Sequence, residues 1–163
     1  MATGKLSAPI SSHWRELAET RCKDIGERLT PARLGAYAEM LAAEKALTAY
    51  ELVALLGERQ GKAIAPLTAY RHLAFLTRGG LVHRIESTQS YLPCDHPEHE
   101  HGGQYLLCSD CGRAEEVHSE HLESMLESVA RQRGFKAAKT VVELNGVCED
   151  CQSEHLAAKQ QIQ

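Results

Sequence analysis

Hydrophobic residues recur at helical spacing through the first half of the chain, and turn residues divide this half into four predicted helices. The first helix covers residues 12–28 and has Ser11 or Ser12 as its N-cap. The later helices begin at residues that favour a helix start, which are Thr30-Pro31, Thr48 with its capping-box partner Glu51, and Pro66. Two strand-like segments, LVHRI and SYLP, follow and predict a β-hairpin.

The fourth predicted helix, PLTAYRHLAFLTR, has an apolar stripe formed by Ala69, Leu73 and Leu76. We expect the opposite, exposed face to carry Thr68, Tyr70, Arg71, His72, Phe75 and Arg78. Helices followed by a hairpin predict a winged helix-turn-helix, in which this helix enters the major groove of DNA. Arg71 can bond guanine through two hydrogen bonds, and the hydroxyls of Thr68 and Tyr70 suit phosphates or bases. The alternative is an ordinary solvated helix face.

The second half of the chain is more polar and is built from shorter segments. CDHPEHEHGG, residues 94–103, is too polar for a core element and predicts a linker or a binding site. Strands at 104–107 and 114–117, an amphipathic helix ended by Gly134 and a strand at 140–144 follow. We therefore predict an α+β fold that comprises a winged-helix domain at 1–93, a hinge at 94–103, a small α/β domain at 104–155 and a tail at 156–163.

Composition and charge favour a folded protein with two differently charged halves. Of the 163 residues, 25% are charged and 43% are hydrophobic. No signal-peptide segment or apolar stretch of membrane-spanning length is present, so we expect a cytoplasmic protein without a membrane partner. Residues 1–93 carry 12 Lys and Arg against 9 Asp and Glu, whereas residues 94–163 carry 6 against 13. This division favours a polyanion partner for the first half and cations for the second, unless the charges are merely solvated unevenly.

Four of the six cysteines form two Cys-x-x-Cys pairs, Cys108 with Cys111 and Cys148 with Cys151, with 36 residues between the pairs. Four thiolates can surround one zinc ion tetrahedrally and leave no position open for a substrate, so the spacing predicts a structural zinc site. A redox pair or a core role is less consistent with a second copy of the motif. Cys22 lies on the apolar stripe of the first helix and is predicted to be a small buried hydrophobe.

Further histidines, carboxylates and one cysteine lie around the boundary between the halves and predict a second metal site. The candidates are His83, Cys94, His96, His99, His101, Glu115, Glu116, His118, His121 and Glu123. A thiolate ligand favours zinc or copper(I), whereas iron(II) and manganese(II) need only histidine and carboxylate ligands. The alternative is that these are solvated surface residues.

Five stretches of the chain closely resemble the ferric uptake regulator family, and within it the zinc uptake regulators. They are LTPARLGAYAEML, LTAYRHLAFLTRGGLVHRIEST, SYLPC, CSDCG and NGVCEDC, and they lie within residues 12–152. The resemblance implies a homodimeric, metal-activated DNA-binding repressor with a winged helix, a hinge and a dimerisation domain that contains a four-cysteine zinc. It also implies that Tyr70 and Arg71 read DNA.

The resemblance assigns the regulatory zinc ligands to His83, Cys94, His101 and Glu116. A possible third site would use His99 and Glu123, but Lys139 and Thr140 occupy the region where its last histidine would lie. His96, His118 and His121 either compensate or are simply exposed.

We therefore expect a zinc-responsive repressor of zinc uptake genes that binds one structural and one regulatory Zn²⁺ per chain, with double-stranded DNA and a second copy as partners. No small organic substrate is expected, and no His-Glu-x-x-His or nucleophile motif supports the alternative of a zinc hydrolase. A metal-storage protein or metal chaperone would leave the winged helix unexplained. An iron or peroxide sensor of the same family is the nearest alternative, and Cys94 argues against it.

Overall fold

A computed structural model of the chain describes residues 10–43, 45–97 and 103–160. The chain divides into two compact units, Met1–Glu100 and His101–Gln163. The division falls inside the segment 94–103 that the sequence predicts as a hinge. Each unit has its own three-stranded sheet.

The first unit consists of helices followed by a small antiparallel sheet. Its elements are α1 (Ser12–Asp24), α2 (Pro31–Ala42), β1 (Leu47–Thr48), α3 (Ala49–Gln60), α4 (Pro66–Arg78), β2 (Val82–Ile85) and β3 (Ser90–Pro93). The strands are ordered β1-β3-β2. The winged helix-turn-helix prediction is confirmed, and the two-residue strand β1 is an addition that widens the wing. The first helix ends at Asp24, earlier than predicted, because Gly26 adopts a left-handed φ of 67° just beyond it.

The predicted helix starts are present in the first unit. The Ser11 side chain accepts a hydrogen bond from the Trp14 amide, and the Thr30 side chain accepts one from the Arg33 amide. Thr48 and Glu51 form a reciprocal capping box at the start of α3. These bonds satisfy amides that a helix start would otherwise leave unpaired.

Helix α4 packs against α2, α3 and β2, and its apolar stripe of Ala69, Leu73 and Leu76 is fully buried. The sequence places Phe75 on the exposed face, and this prediction is wrong because Phe75 is also fully buried. The guanidinium carbon of Arg33 lies 3.7 Å from the centre of its ring. Residues at three- and four-residue spacing form a single stripe, but a helix that contacts three other elements buries a wider face than one stripe.

The second unit is a mixed sheet with two helices. Its elements are β4 (Gly103–Cys108), β5 (Ala114–Glu116), α5 (Glu120–Gln132), β6 (Val141–Gly146) and α6 (Glu149–Gln160). Strand β4 lies in the middle, antiparallel to β5 and parallel to β6. The sequence predicts four of these elements, and α6 extends into the segment 156–163 that it describes as a tail. Together the two units make the predicted α+β fold.

Helix α5 presents an apolar face that its own unit does not bury. Met125 and Val129 are 52% and 56% exposed, and none of the residues of α5 is buried. Strand β6 lies at the sheet edge, where Leu144 is 57% exposed. Within the described ranges, no helix is long and apolar enough to cross a membrane.

Candidate metal centres and DNA-binding helix

The parallel register of β4 and β6 brings the two Cys-x-x-Cys pairs together. Cys108, the last residue of β4, lies opposite Gly146, which precedes Cys148 by two positions. The Gly112 amide donates to the Cys108 carbonyl over 3.0 Å, and Gly112 has a φ of 74°, which closes the turn around the first pair. The second pair enters α6, where the Gln152 amide donates to the Cys148 carbonyl over 2.9 Å.

The four sulfur atoms have the spacing of a tetrahedral zinc site. They lie within 4.8 Å of one another, with 3.9 Å between Cys108 and Cys151 and 3.7 Å between Cys111 and Cys148. Zinc–sulfur bonds of about 2.3 Å would place the corners of a tetrahedron about 3.8 Å apart. The residues therefore fit a four-coordinate zinc ion without rearrangement.

Hydrogen bonds prepare one of these sulfurs to be a thiolate. Backbone amides of Cys111 and Cys148 donate to the Cys108 sulfur and lower its pKa to about 6; the Cys148 amide lies 3.3 Å away. Hydrogen bonding to Cys148, together with burial, raises the pKa of the Cys151 thiol. The cluster therefore retains protons that a divalent cation would displace, as expected of a zinc ligand set.

Two side chains of α6 pair with residues of the turn that follows β4. His155 Nε2 lies 2.9 Å from Asp110 Oδ2, and Arg113 Nη1 lies 3.5 Å from Asp150 Oδ2. These pairs connect α6 to the turn between the first two cysteines. They are largely exposed, so we expect them to orient α6 more than to stabilise it.

The wing hairpin positions the first half of the second predicted metal site. The Cys94 amide donates to the Leu81 carbonyl over 3.0 Å, which continues the β2–β3 ladder by one residue pair. His83 and Cys94 are consequently diagonal neighbours on the same face of the hairpin. Their ligand atoms lie within 4.8 Å of each other, Cys94 is 1% exposed and His83 is partly buried.

The other two predicted ligands belong to the second unit. Glu116 is the last residue of β5, lies opposite Tyr105 of β4 and is partly buried. His101 lies outside the described residues. Each unit therefore carries its own part of the predicted ligand set.

Of the two residues named for the possible third site, the structure describes Glu123. His99 lies outside the described residues, and Glu123 accepts a hydrogen bond from Gln104 Nε2 over 3.2 Å. His118 Nδ1 lies 3.9 Å from Glu123 Oε1. The sequence predicts Gln104 only as the start of a strand; it is 2% exposed on the central strand, and a buried amide has no spacing signal that would mark it as a site residue. His96 and His121 are exposed.

The predicted DNA-reading residues lie on the outer side of α4. Arg71 is exposed, Tyr70 is 45% exposed and Thr68 is partly buried. Burial lowers the pKa of the neighbouring His72, and the charge of Arg33 lowers it further, so that imidazole is neutral at pH 7. The outer face of α4 therefore offers Arg71 with hydroxyl groups beside it, while its second arginine, Arg78, pairs with Glu27 over 2.7 Å.

Comparison with known proteins identifies relatives over most of the chain. Residues 24–145 match the ferric uptake regulator family. The zinc uptake regulation protein of Escherichia coli is 37% identical over 82% of this chain and 78% of its own length. The ferric uptake regulation protein of Neisseria meningitidis is 27% identical over 69% of this chain and 76% of its own. A zinc uptake regulator complexed with zinc and DNA, 33% identical, superposes with a TM-score of 0.80 over 90% of this chain and 99% of that one.

Proposed function

Because the chain belongs to the ferric uptake regulator family, we propose that it is a zinc-responsive repressor that binds operator DNA as a homodimer. Members of this family regulate transcription and are not enzymes. We place the protein in the cytoplasm, where its DNA is. Its targets are genes for zinc uptake, which it represses when zinc is plentiful. The observation that carries the proposal is the pairing of His83 with the buried Cys94 thiol on the hairpin that follows α4.

We assign the structural zinc to Cys108, Cys111, Cys148 and Cys151. The sulfur spacing and the low pKa of Cys108 support this assignment. The bound ion joins the end of β4 to the start of α6 within the second unit. Zinc binding contributes on the order of 10 kcal/mol to folding in small domains with little apolar core.

We assign the regulatory zinc to His83, Cys94, His101 and Glu116. The first two are neighbours in the first unit, and the other two belong to the second unit. A ligand set drawn from both units would restrict the orientation of α4 relative to the dimerisation domain. By linkage, DNA would then tighten zinc binding by the same factor as zinc tightens DNA binding.

We assign DNA reading to Thr68, Tyr70 and Arg71. Their exposure and their position in the first turns of α4 support this role, because recognition helices contact base edges with their N-terminal residues. A homodimer would present two such helices to the two halves of a palindromic operator.

We assign dimerisation to α5 and β6. Helix α5 carries Leu122, Met125, Leu126 and Val129 at helical spacing, and β6 is a sheet edge with an exposed Leu144. An apolar helix face and an open strand edge each suit a self-complementary interface. A second copy of the chain would cover both surfaces.

The proposal is tested by measuring DNA binding and metal content on one sample. Duplexes selected from a random pool in the presence of zinc supply the operator probe, and zinc or iron(II) is then titrated under reducing conditions. We expect zinc to restore operator affinity at about two zinc ions per chain, counting one for the four-cysteine site. Activation by iron(II) alone would assign the protein to the iron-sensing relatives instead.

Two cysteine variants separate the two metal roles. We expect Cys94→Ser to abolish zinc-dependent operator binding while the dimer stays folded, because the four-cysteine zinc is retained. We expect Cys108→Ser to unfold the second unit or dissociate the dimer. If both variants bound operator as well as the wild type does, our division of the metals would be wrong.

A further inference from the structure

The exposed side of α4 carries a second arginine, Arg78, in line with Arg71. Arg78 comes seven positions after Arg71, which is close to two helical turns, so both project from the same face about 10.5 Å apart along the helix axis. The Arg78 side chain is 56% exposed. A helix seated in the major groove passes close to the sugar–phosphate backbones, and arginine is a common partner of phosphate. Position alone would therefore predict a phosphate contact for Arg78.

Glu27, in the turn between α1 and α2, binds Arg78 instead. Its Oε1 accepts hydrogen bonds from Arg78 Nε over 3.1 Å and from Arg78 Nη2 over 2.7 Å. The hydrogen bond from Arg78 and the charges of Arg78 and Arg33 lower the pKa of Glu27, so its carboxylate is ionised at neutral pH. A DNA phosphate would have to displace this carboxylate before it could bind Arg78.

The backbone and a further arginine hold Glu27 in place. The Glu27 amide donates to the Cys22 carbonyl over 2.9 Å, as part of the C-terminal cap of α1. Glu27 Oε2 lies 3.2 Å from Arg33 Nη2. Arg33 is held in turn, because its Nη1 donates to the Arg28 carbonyl over 2.6 Å. The carboxylate is therefore fixed where Arg78 can reach it.

Other contacts fix the position of α4. Phe75 is fully buried, and Arg21 Nε donates to the Gly79 carbonyl at the end of the helix over 2.9 Å. Ion pairs at the surface contribute little to stability. Loss of the Glu27 charge should therefore leave α4 in place and change only what Arg78 can bind.

We propose that Glu27 limits sequence-independent DNA binding by occupying Arg78 and keeping it from contacting phosphate. This inference rests on the proposed DNA-reading role of α4. Phosphate contacts add affinity for every duplex, whereas base contacts favour the operator alone. With Arg78 occupied, binding depends more on Arg71 and on the placement of the two reading helices of the dimer. The protein then binds fewer of the many non-specific sites that a genome offers.

Glu27→Gln keeps the size of the side chain and removes its charge. The zinc-loaded, full-length protein is titrated onto the selected operator and onto a scrambled duplex at several salt concentrations, and fluorescence anisotropy gives both dissociation constants. We expect affinity for both duplexes to rise by a similar factor, roughly 3- to 10-fold, because a phosphate contact carries no sequence information. The slope of log Kd against log salt concentration should steepen by about 0.9 for each chain on the duplex. Glu16→Gln removes the same charge from an exposed position on α1 and should match the wild type.

Arg78→Gln identifies the group that is responsible. Alone, it should keep the wild-type salt slope, because Arg78 is already occupied by Glu27. Combined with Glu27→Gln, it should return both affinities and the slope to wild-type values. A shallower slope in Arg78→Gln alone would show that Arg78 already contacts phosphate and would overturn the proposal. So would a gain in Glu27→Gln that persists without Arg78, or weaker operator binding by Glu27→Gln, which would make Glu27 a support for α4.

The wild-type measurements in the same series test the function on which this inference rests. If the zinc-loaded wild type bound the operator no better than the scrambled duplex, the proposed DNA-reading role of α4 would fail. If the wild type preferred the operator while Glu27→Gln had the same affinities and salt slope, only the role of Glu27 would fail.

Discussion

Arg71 is the side chain on which sequence-specific binding depends most directly in this proposal. It is exposed in the first half of α4, with Tyr70 beside it. The sequence alone could suggest that this residue reads a base, because the commonest base contact of arginine is a pair of hydrogen bonds to guanine. The base that it reads is a property of the complex and has no signal in the chain.

We expect Arg71→Ala to weaken binding to the selected operator by roughly 5- to 150-fold, which corresponds to about 1–3 kcal/mol for one base contact. Sequence preference should relax at one position in each half-site. Fluorescence anisotropy with the operator and with single-base variants measures both effects. Arg133→Ala, an exposed arginine of the second unit, is the control and should bind normally. Equal weakening on every duplex would instead assign Arg71 to a phosphate contact.

Phe75 shows where reasoning from one helix fails. Spacing within α4 indicates which residues share a stripe, but the width of the buried face depends on how many neighbours the helix has. Here α4 contacts three elements, and Arg33 from α2 covers the Phe75 ring with its guanidinium group. That contact joins residues far apart in the sequence, and no local pattern predicts it.

We expect Phe75→Ala to lower the free energy of unfolding by about 3–5 kcal/mol, the usual cost of a large cavity in a packed core. Phe75→Leu should cost much less because it keeps most of the volume. Urea denaturation of the zinc-loaded protein measures both. Phe135→Ala is the matched control, since Phe135 is 68% exposed and should tolerate truncation. A similar loss at both positions would contradict the burial of Phe75.

At the scale of elements, the starts of the helices can be predicted from a few neighbouring residues. The capping box of α3 is an example, because all its bonds lie within four residues. Glu51 Oε1 lies 2.9 Å from Lys45 Nζ, and its other oxygen accepts from the Thr48 amide over 2.8 Å. The hydrogen bond from Lys45, followed by that from the Thr48 amide, lowers the pKa of Glu51 from 4.5 to about 2.

The pKa of Glu51 is lower in the folded state than its unfolded value of 4.5. Ionised Glu51 therefore stabilises the fold above pH 4.5, and this contribution is lost as the pH falls towards about 2. We expect Glu51→Gln to lower the free energy of unfolding by about 0.5–1 kcal/mol at pH 7, because Glu51 is partly exposed. The difference from the wild type should shrink below pH 4.5. Urea denaturation at several pH values measures it. Glu58→Gln, an exposed residue of the same helix, is the control, and a pH-independent difference would contradict the charge effect.

Two elements escaped prediction because they lack a local signal. Strand β1 has two residues, and only its pairing with β3 makes it a strand. Helix α6 has no apolar stripe of its own: it begins at the second cysteine pair and contacts the first through His155 and Asp110. Both elements depend on distant partners, which periodicity does not report.

At the scale of the whole molecule, the division into two units and the four-cysteine cluster were predictable from composition and spacing. Four sulfurs in two pairs allow few other arrangements, so cysteine spacing alone suggests the cluster. The completeness of the regulatory ligand set remains a prediction, because His101 lies outside the described residues. The apolar surface of the second unit became evident only when α5 and β6 were seen to be left uncovered.

We expect Val129→Asp and Leu144→Asp each to raise the dimer dissociation constant at least ~100-fold, since a symmetric interface would bury two unpaired carboxylates. Sedimentation equilibrium of the zinc-loaded protein measures this constant. Operator affinity should fall in parallel. Glu127→Lys, an exposed change on the same helix, should leave the dimer intact. If the aspartate variants remained dimeric, the interface would lie elsewhere.

The pairing of Cys108 with the residues around Gly146 has a consequence for biosynthesis. A nascent chain holds only two of the four sulfurs until Cys148 is made, and the central strand lacks its parallel neighbour until residues 141–146 are made, shortly before. The first unit, whose contacts are complete by then, can fold while the second is still being translated. Zinc supply therefore acts on the second unit, which is translated last. Chains made during zinc starvation would have a folded first unit, with its DNA-reading helix, and an unfolded second unit.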